Sequence, residues 1–439
     1  MKRILFFAFI LFFCQTAYCT EETSFASEID KCAAKVRNDW NIPGFSLTVM
    51  HEGKTVLSKG YGVKTKGGSA PVDGATVYQI GSVSKSFTAA LMAMMVDEGK
   101  VRWDDRVKDI LPDFELYDKV VENDLRVSDI MTHRMGFRSQ ALTYAPNVGY
   151  DTDDVYRMLS LLKPEYPFRD GMHYNNMTFI IAQKIIEKVS GLSWEDNLNC
   201  RIFAPLGMGS ASCGGPGFES AENVASPHNM YSVKDSIRCS PIRGEGRALH
   251  WLSVVGPAGG INCSSKDLAR WAQFHLDDGV AAGRRLISSN QMGYLHSGVA
   301  ISAITDEKIT IYGHCWYIEQ TESCRIYYHT GTTWGHAALC VWVPSLNLSF
   351  AMLFGSDVPS NPRFALMRSI VDIYSGAPKR DYSKEETNGC TAGAAPPENQ
   401  DSRTSTVQRY IPRRTFAENT PRKPLSGMLK SPQRTADST

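Results

Sequence analysis

Ser82 and Lys85, in the run Gly81-Ser82-Val83-Ser84-Lys85, are a hydroxyl and an amine three residues apart. At the start of a helix that spacing puts both side chains on one face, with the amine beside the oxygen. The free N–H groups and positive dipole of a helix N-terminus favour a neutral lysine and a developing oxyanion. A neutral lysine can take the serine's proton, so the pair is a candidate for nucleophilic catalysis. Spacing alone says little, because roughly one or two Ser-x-x-Lys runs are expected by chance in a chain of this length. A second copy exists, Ser160-Leu161-Leu162-Lys163. It ends an apolar helical run just before Pro164, where its serine has no helix N-terminus to work with, and it reads as chance.

Two further motifs give the first pair its weight. Tyr174-Asn175-Asn176 is the one Tyr-x-Asn in the sequence and precedes a helical pattern that begins at Phe179. A tyrosine facing the pair could ionise with the lysine's help and act as general base, while Asn176 could hydrogen-bond the lysine and a substrate amide. His329-Thr330-Gly331-Thr332 closes an apolar strand pattern, Arg325 to His329. A strand edge there offers backbone groups to a substrate, and the Thr332 N–H would complete an oxyanion site with that of Ser82. The rivals His296-Ser297-Gly298 and Lys66-Gly67-Gly68 follow no convincing apolar strand at the right place in the order. Each residue also has a plainer role: Ser82 as a helix cap, Tyr174 as a half-buried aromatic, His329 as a packing residue. His133 reads as structural.

The elements that must position these groups follow from periodicity. Ser24 to Trp40 repeats apolar residues at helical spacing. Phe45–Met50 and Thr55–Val63 read as a hairpin around His51-Glu52-Gly53-Lys54. Ser82 to Asp97 is helical, and a mostly helical stretch continues to about residue 270, with Phe179–Ser190 and Lys266–Asp277 the clearest helices. Strand character returns at His314–Glu319, Arg325–His329, Ala337–Val343 and Leu348–Phe354, before a last helix over Arg363–Tyr374. Strands at both ends with helices between imply an α/β (α+β) fold. One antiparallel sheet is assembled from both chain ends and flanked by helices, with an all-α lobe inserted at about 100–270.

The chain of 439 residues carries a formal net charge of +1, which gives no reason to expect a nucleic-acid partner. Residues 1–19 have the basic start, apolar core and small-residue end of a signal peptide, so a secreted, extracellular protein is expected. The apolar part is about half the ~20 residues a membrane span needs, so no stable membrane insertion is expected. Cleavage would leave an odd number of cysteines in an oxidising compartment. Cys315 and Cys324 could face each other across a hairpin, whereas Cys340 reads as a free core residue. No zinc, phosphate-loop or Gly-x-Ser-x-Gly pattern is present, so no metal or cofactor is expected. The catalytic domain is assigned to 20–376. The tail 377–439, rich in Ser, Thr, Pro and basic residues, has too little apolar surface to order itself. Asn176, Asn262 and Asn347 begin Asn-x-Ser/Thr sequons, of which Asn347, in an expected turn, is the best glycan candidate, Asn262 is undecided, and Asn176 would be blocked in the cleft.

In order and separation the three motifs resemble the serine β-lactamase and penicillin-binding-protein superfamily, in its class C-like branch of esterases, D-aminopeptidases and animal β-lactamase-like proteins (peptidase family S12 type). Asp129-Ile130-Met131-Thr132-His133, Phe203-Ala204-Pro205-Leu206-Gly207-Met208 and Ala258-Gly259-Gly260-Ile261 are similar to that branch as well. The resemblance covers about Ser24 to Gly376. It implies that Ser82 attacks a carbonyl to give an acyl-enzyme that water hydrolyses. Lys85 and Tyr174 would move protons, Asn176 would orient the substrate, the Ser82 and Thr332 N–H groups would bind the oxyanion, and His329, Thr330 and Gly331 would line the substrate's edge. His329 stands where β-lactamases and DD-peptidases usually carry lysine. A histidine is mostly neutral at neutral pH, which favours an ester, peptide or amide substrate over a β-lactam. A catalytically inactive binding or self-assembling protein and a true β-lactamase or DD-peptidase stay open as alternatives.

Overall fold

The computed structural model describes residues 23–383 apart from 234–235, 244–245 and 306–307. The expected leader and all of the expected tail beyond residue 383 lie outside the described residues. Residues 377–383 pack on the domain, with the Tyr382 hydroxyl on Asp372 at 2.7 Å and the Ser383 hydroxyl on Asp39 at 2.7 Å.

After helix α1 (residues 23–39) come β1 (Gly44–His51) and β2 (Lys54–Gly62). Glu52 and Gly53 join the two strands with φ of +49° and +74°, the left-handed pair that matches strand twist in a two-residue hairpin. A short 3-10 turn, Gly81–Val83, leads into α2 (Ser84–Asp97), and the lobe's α3 (Phe179–Ser190) and α4 (Ser265–Leu276) follow. The remaining strands of the main sheet are β3 (Gly298–Ile304), β4 (Ile309–Gly313), β5 (Tyr317–Gln320), β6 (Arg325–Thr333), β7 (His336–Val343) and β8 (Leu348–Phe354), and α5 (Ser360–Ser375) ends the domain. They form one antiparallel sheet in the order β3-β4-β5-β6-β7-β8-β1-β2. Both chain ends therefore meet at the β8–β1 pair, as the strand pattern implied.

The central strands β7 and β8 are buried on both faces. In β7, Ala338, Cys340 and Trp342 belong to the core shared with the helical lobe, while Ala337, Leu339, Val341 and Val343 belong to the core under α1 and α5. Period-two alternation over a fully apolar run thus serves two cores at once. The same alternation separates the two hairpin cysteines. Cys315 lies in the lobe-side core, its thiol on the Met131 carbonyl at 3.5 Å, and Cys324 lies in the opposite core. The two do not pair, and the cysteines of the described residues are free thiols.

Two expectations change. The lobe also contains a hairpin, His228–Val233 with Ser236–Pro241. The sheet gains β3 and β4, and His314–Trp316 is a turn before β5 with Cys315 at φ +66°. β3 is exposed at the sheet edge, with Ile301 and Ile304 largely in solvent, so its sequence lacks the half-buried alternation that marks a strand. Among the described residues no helix is long and apolar enough to cross a membrane.

Candidate active site

Ser82 sits in the 3-10 turn that opens α2, and Gly81 before it holds φ at +51°. Neither helical segment is capped by a side chain, so the Ser82 hydroxyl is not spent as a helix cap. Close approach by β6 explains the glycines. A Cβ on Gly331 would stand 1.9 Å from the Ile80 carbonyl oxygen, and one on Gly81 would stand 2.7 Å from the Thr332 nitrogen. Both motifs are therefore backbone against backbone, which only residues without a side chain permit.

Lys85 is fully buried. Its Nζ lies 3.2 Å from Ser82 Oγ, 2.7 Å from Asn176 Oδ1 and 2.8 Å from the Ala258 carbonyl oxygen. It also lies 4.7 Å from the centre of the Tyr174 ring and 5.3 Å from that of Phe179. Burial drives its pKa down to about 7, with the Cys315 thiol nearby opposing the fall. Desolvation disfavours the ammonium, and among the described residues no carboxylate pairs with it to restore it.

Tyr174 and Asn176 are fixed by the residue between them. Asn175 Oδ1 accepts from the Met177 and Thr178 N–H groups, and its Nδ2 donates to the Arg138 and Ala141 carbonyls. Its own N–H donates to His133 Nδ1 at 3.2 Å, and the His133 ring lies 4.1 Å from that of Tyr174. The Tyr174 ring is half-buried, but its hydroxyl is fully enclosed and has no well-formed hydrogen bond. Burial raises the phenol well above its ordinary pKa; Tyr317 adds to this and the neighbouring Ser82 hydroxyl opposes it. A phenolate is thus disfavoured, contrary to the expectation that Tyr174 ionises. His133, read as structural, holds both Asn175 and the tyrosine ring.

The third motif is brought to the same place with one departure. β5 pairs with β6 only as far as Tyr328, so from His329 onward that edge of β6 carries no strand. Thr332 is exposed, Thr330 is half-buried and Gly331 is buried. His329 is 0% exposed, so its side chain does not present itself to a substrate. Its Nδ1 faces the Thr330 carbonyl oxygen at 2.7 Å and therefore carries the proton, leaving Nε2 to accept from the Tyr312 hydroxyl at 3.3 Å. Burial, and then the Lys85 charge, bring its pKa down to about 3, so it is neutral.

Other expectations resolve more simply. His296 lies inside an aromatic cluster, Nε2 on His275 Nδ1 at 2.8 Å, and takes no part. Asn262 is fully buried, its Nδ2 on the Gly214 carbonyl at 2.9 Å, so it is not a glycan site. Asn347 is exposed in a left-handed turn. Sequence reasoning assigned nothing to Asn175, to the Ala258 carbonyl, or to Tyr312. The run Ala258-Gly259-Gly260 was the one signal that could have pointed to a backbone acceptor there.

Comparison with known proteins gives the family and the fold. The family model described as Beta-lactamase matches residues 29–374. Penicillin-binding protein 4 of Amycolatopsis lactamdurans is 27% identical over 349 residues, covering 78% of this chain and 88% of that one. An unguisins hydrolase of Aspergillus campestris is 26% identical over 333 residues, covering 73% of this chain and 60% of its own. Among solved structures, the octameric penicillin-binding protein homologue from Pyrococcus abyssi superposes with a TM-score of 0.67 at 21% identity, covering 80% of this chain and 77% of that one.

Proposed function

The chain belongs to the beta-lactamase family, and from that premise we propose that it is a secreted serine hydrolase acting on an ester, peptide or amide through an acyl-enzyme on Ser82. One observation carries the reading: the hydrogen-bond geometry of Lys85. A neutral amine has two hydrogens and one lone pair. The two shorter contacts, to Asn176 Oδ1 and the Ala258 carbonyl, take the hydrogens, and the lone pair is left for the Ser82 hydroxyl. With a pKa of about 7, much of the lysine is in that form at neutral pH.

In this mechanism the Ser82 oxygen attacks the substrate carbonyl as its proton passes to Lys85, forming one C–O bond and an oxyanion. The Ser82 and Thr332 N–H groups hold that oxyanion. Collapse expels the leaving group, which takes a proton from Lys85 through the neutral Tyr174 phenol. Water then attacks the acyl-enzyme by the reverse path, with Lys85 again the proton acceptor. Asn176 orients the amine and a substrate amide, while Thr330 and Gly331 border the open strand edge.

A buried, neutral His329 supplies no cation for a substrate carboxylate, which supports esters, peptides and amides over β-lactams. A labelled fluorophosphonate followed by mass spectrometry of the modified peptide is the test. Label on Ser82, lost in Ser82→Ala, is expected; label on another residue, or none, removes the reading. Fast, saturable nitrocefin turnover would make it a β-lactamase instead. Secretion carries Asn347 as the glycan site, checked by a glycosidase shift lost in Asn347→Gln. Self-association with further copies of the chain belongs to the same proposal, since one structural relative is octameric and β3 leaves Ile301 and Ile304 exposed at the sheet edge. A monomeric mass by light scattering would remove it.

A further inference from the structure

Arg363, in the first turn of α5, is 4% exposed. Its guanidinium donates to the Gly331 carbonyl at 2.9 Å, the Ala338 carbonyl at 3.1 Å, the Pro359 carbonyl at 3.3 Å and the Ser360 hydroxyl at 3.3 Å. All four acceptors are neutral, and no carboxylate pairs with it among the described residues. Burial lowers its pKa to about 10, so it remains a cation at neutral pH. An enclosed charge without a counter-ion is costly, and such groups are retained where the charge does something.

What it does follows from which carbonyl it grips. A trans peptide is planar, with its C=O and N–H pointing in opposite directions. The carbonyl of Gly331 and the N–H of Thr332 belong to one such unit. Arg363 holds the oxygen end, and the nitrogen end lies against Gly81, on the edge of β6 that β5 leaves uncovered. The close approach also requires glycine at 331, because a Cβ there would stand 1.9 Å from the Ile80 carbonyl oxygen.

We propose that Arg363 is a positioning residue for the oxyanion site: its cation fixes the plane of the Gly331–Thr332 peptide and polarises it, making the Thr332 N–H a stronger donor. Electron density drawn toward the carbonyl oxygen leaves the amide hydrogen more positive, as in any chain of hydrogen bonds that ends on a charge. A donor already aligned before reaction costs no reorganisation when the oxyanion forms. The inference rests on the assignment of Ser82 as nucleophile. It adds a residue that touches neither the substrate nor the reacting atoms.

The experiment uses the full chain and one fluorophosphonate, whose adduct places a P=O oxygen where the oxyanion would be. The maximal inactivation rate, the concentration for half-maximal rate and the phosphorus NMR shift of the adduct are measured for the wild type, Arg363→Met and Arg363→Gln. Each is studied at a temperature where circular dichroism shows it folded, and the glutamine variant carries the comparison if the methionine variant does not fold. Expected is a maximal rate lowered about 10-fold, an unchanged half-saturation concentration and a displaced phosphorus resonance. A variant with wild-type rate and resonance, and only a lower melting temperature, would make Arg363 a simple pin between α5 and the sheet and overturn the proposal. A wild type that takes no label at all overturns the nucleophile assignment first, and this inference with it.

Discussion

The molecule contains the same Ser-x-x-Lys spacing twice, at Ser82–Lys85 and at Ser160–Lys163, in opposite settings. Lys85 is wholly enclosed, its amine within hydrogen-bond reach of a serine, an asparagine and a backbone carbonyl. Lys163 is exposed, and the Ser160 hydroxyl is turned back onto the Arg157 carbonyl at 2.7 Å within its own helical turn. The spacing is the same in both places, but the 3-10 turn that holds Ser160 ends at Leu161 and Lys163 lies beyond it in extended chain. Only removal from water makes the lysine a base at neutral pH, because a solvated ammonium holds its proton to about pH 10. The difference lies in what the rest of the chain lays over the pair.

Substitutions that treat the two pairs alike separate them most sharply. Ser82→Ala should lower turnover of an activated ester by a factor on the order of 10⁴ or more, while Ser160→Ala leaves it unchanged; comparable losses in both would abolish the contrast. Lys85→Met should cost about 10³-fold or more in kcat, and Lys163→Met should cost nothing. Lys85→Met should also raise the melting temperature at pH 6. The folded pKa lies below the unfolded one, so the unfolded chain binds the extra proton and the wild type is penalised. That penalty is complete below about pH 7 and fades toward the ordinary lysine range, so the variant's gain should fade with it.

A smaller effect is expected from Tyr174→Phe, about 10² to 10⁴-fold in kcat with KM little changed, since a neutral phenol relays a proton that water can partly replace. The pH profile sharpens the same point at the scale of a single group. Lys85 acts only when unprotonated, so kcat/KM should rise with a slope of one through about pH 7 and level off above it. A limb near pH 10 would mean that Lys85 is solvated in the working enzyme.

Much of the architecture follows from local pattern. The β1–β2 hairpin, α2, α3, β7, β8 and α5 are legible because each has one period and one or two buried faces, and a turn composition marks where it stops. The edge strand β3 is not, because an exposed edge strand buries too little to leave an alternating signature. The cysteine pairing guessed across the 315–324 hairpin failed for a related reason. Sequence shows that two residues are close along a turn, and only the sheet's two faces decide which side each occupies.

The sequence by itself determined the chemical inventory: a serine, a lysine, a tyrosine, an asparagine and a glycine-bearing strand in a set order, on elements whose periodicity builds one sheet from both chain ends. Tertiary structure alone decided the protonation states. The acceptors that orient the Lys85 amine come from 91 and 173 positions away. His329 is withdrawn into the core beside Tyr312, Tyr174 is kept neutral by enclosure, and Arg363 reaches Gly331 from 32 positions further on. The physical reason is that reactivity here depends on desolvation, and desolvation is a property of everything packed around a group, which spacing along the chain does not encode.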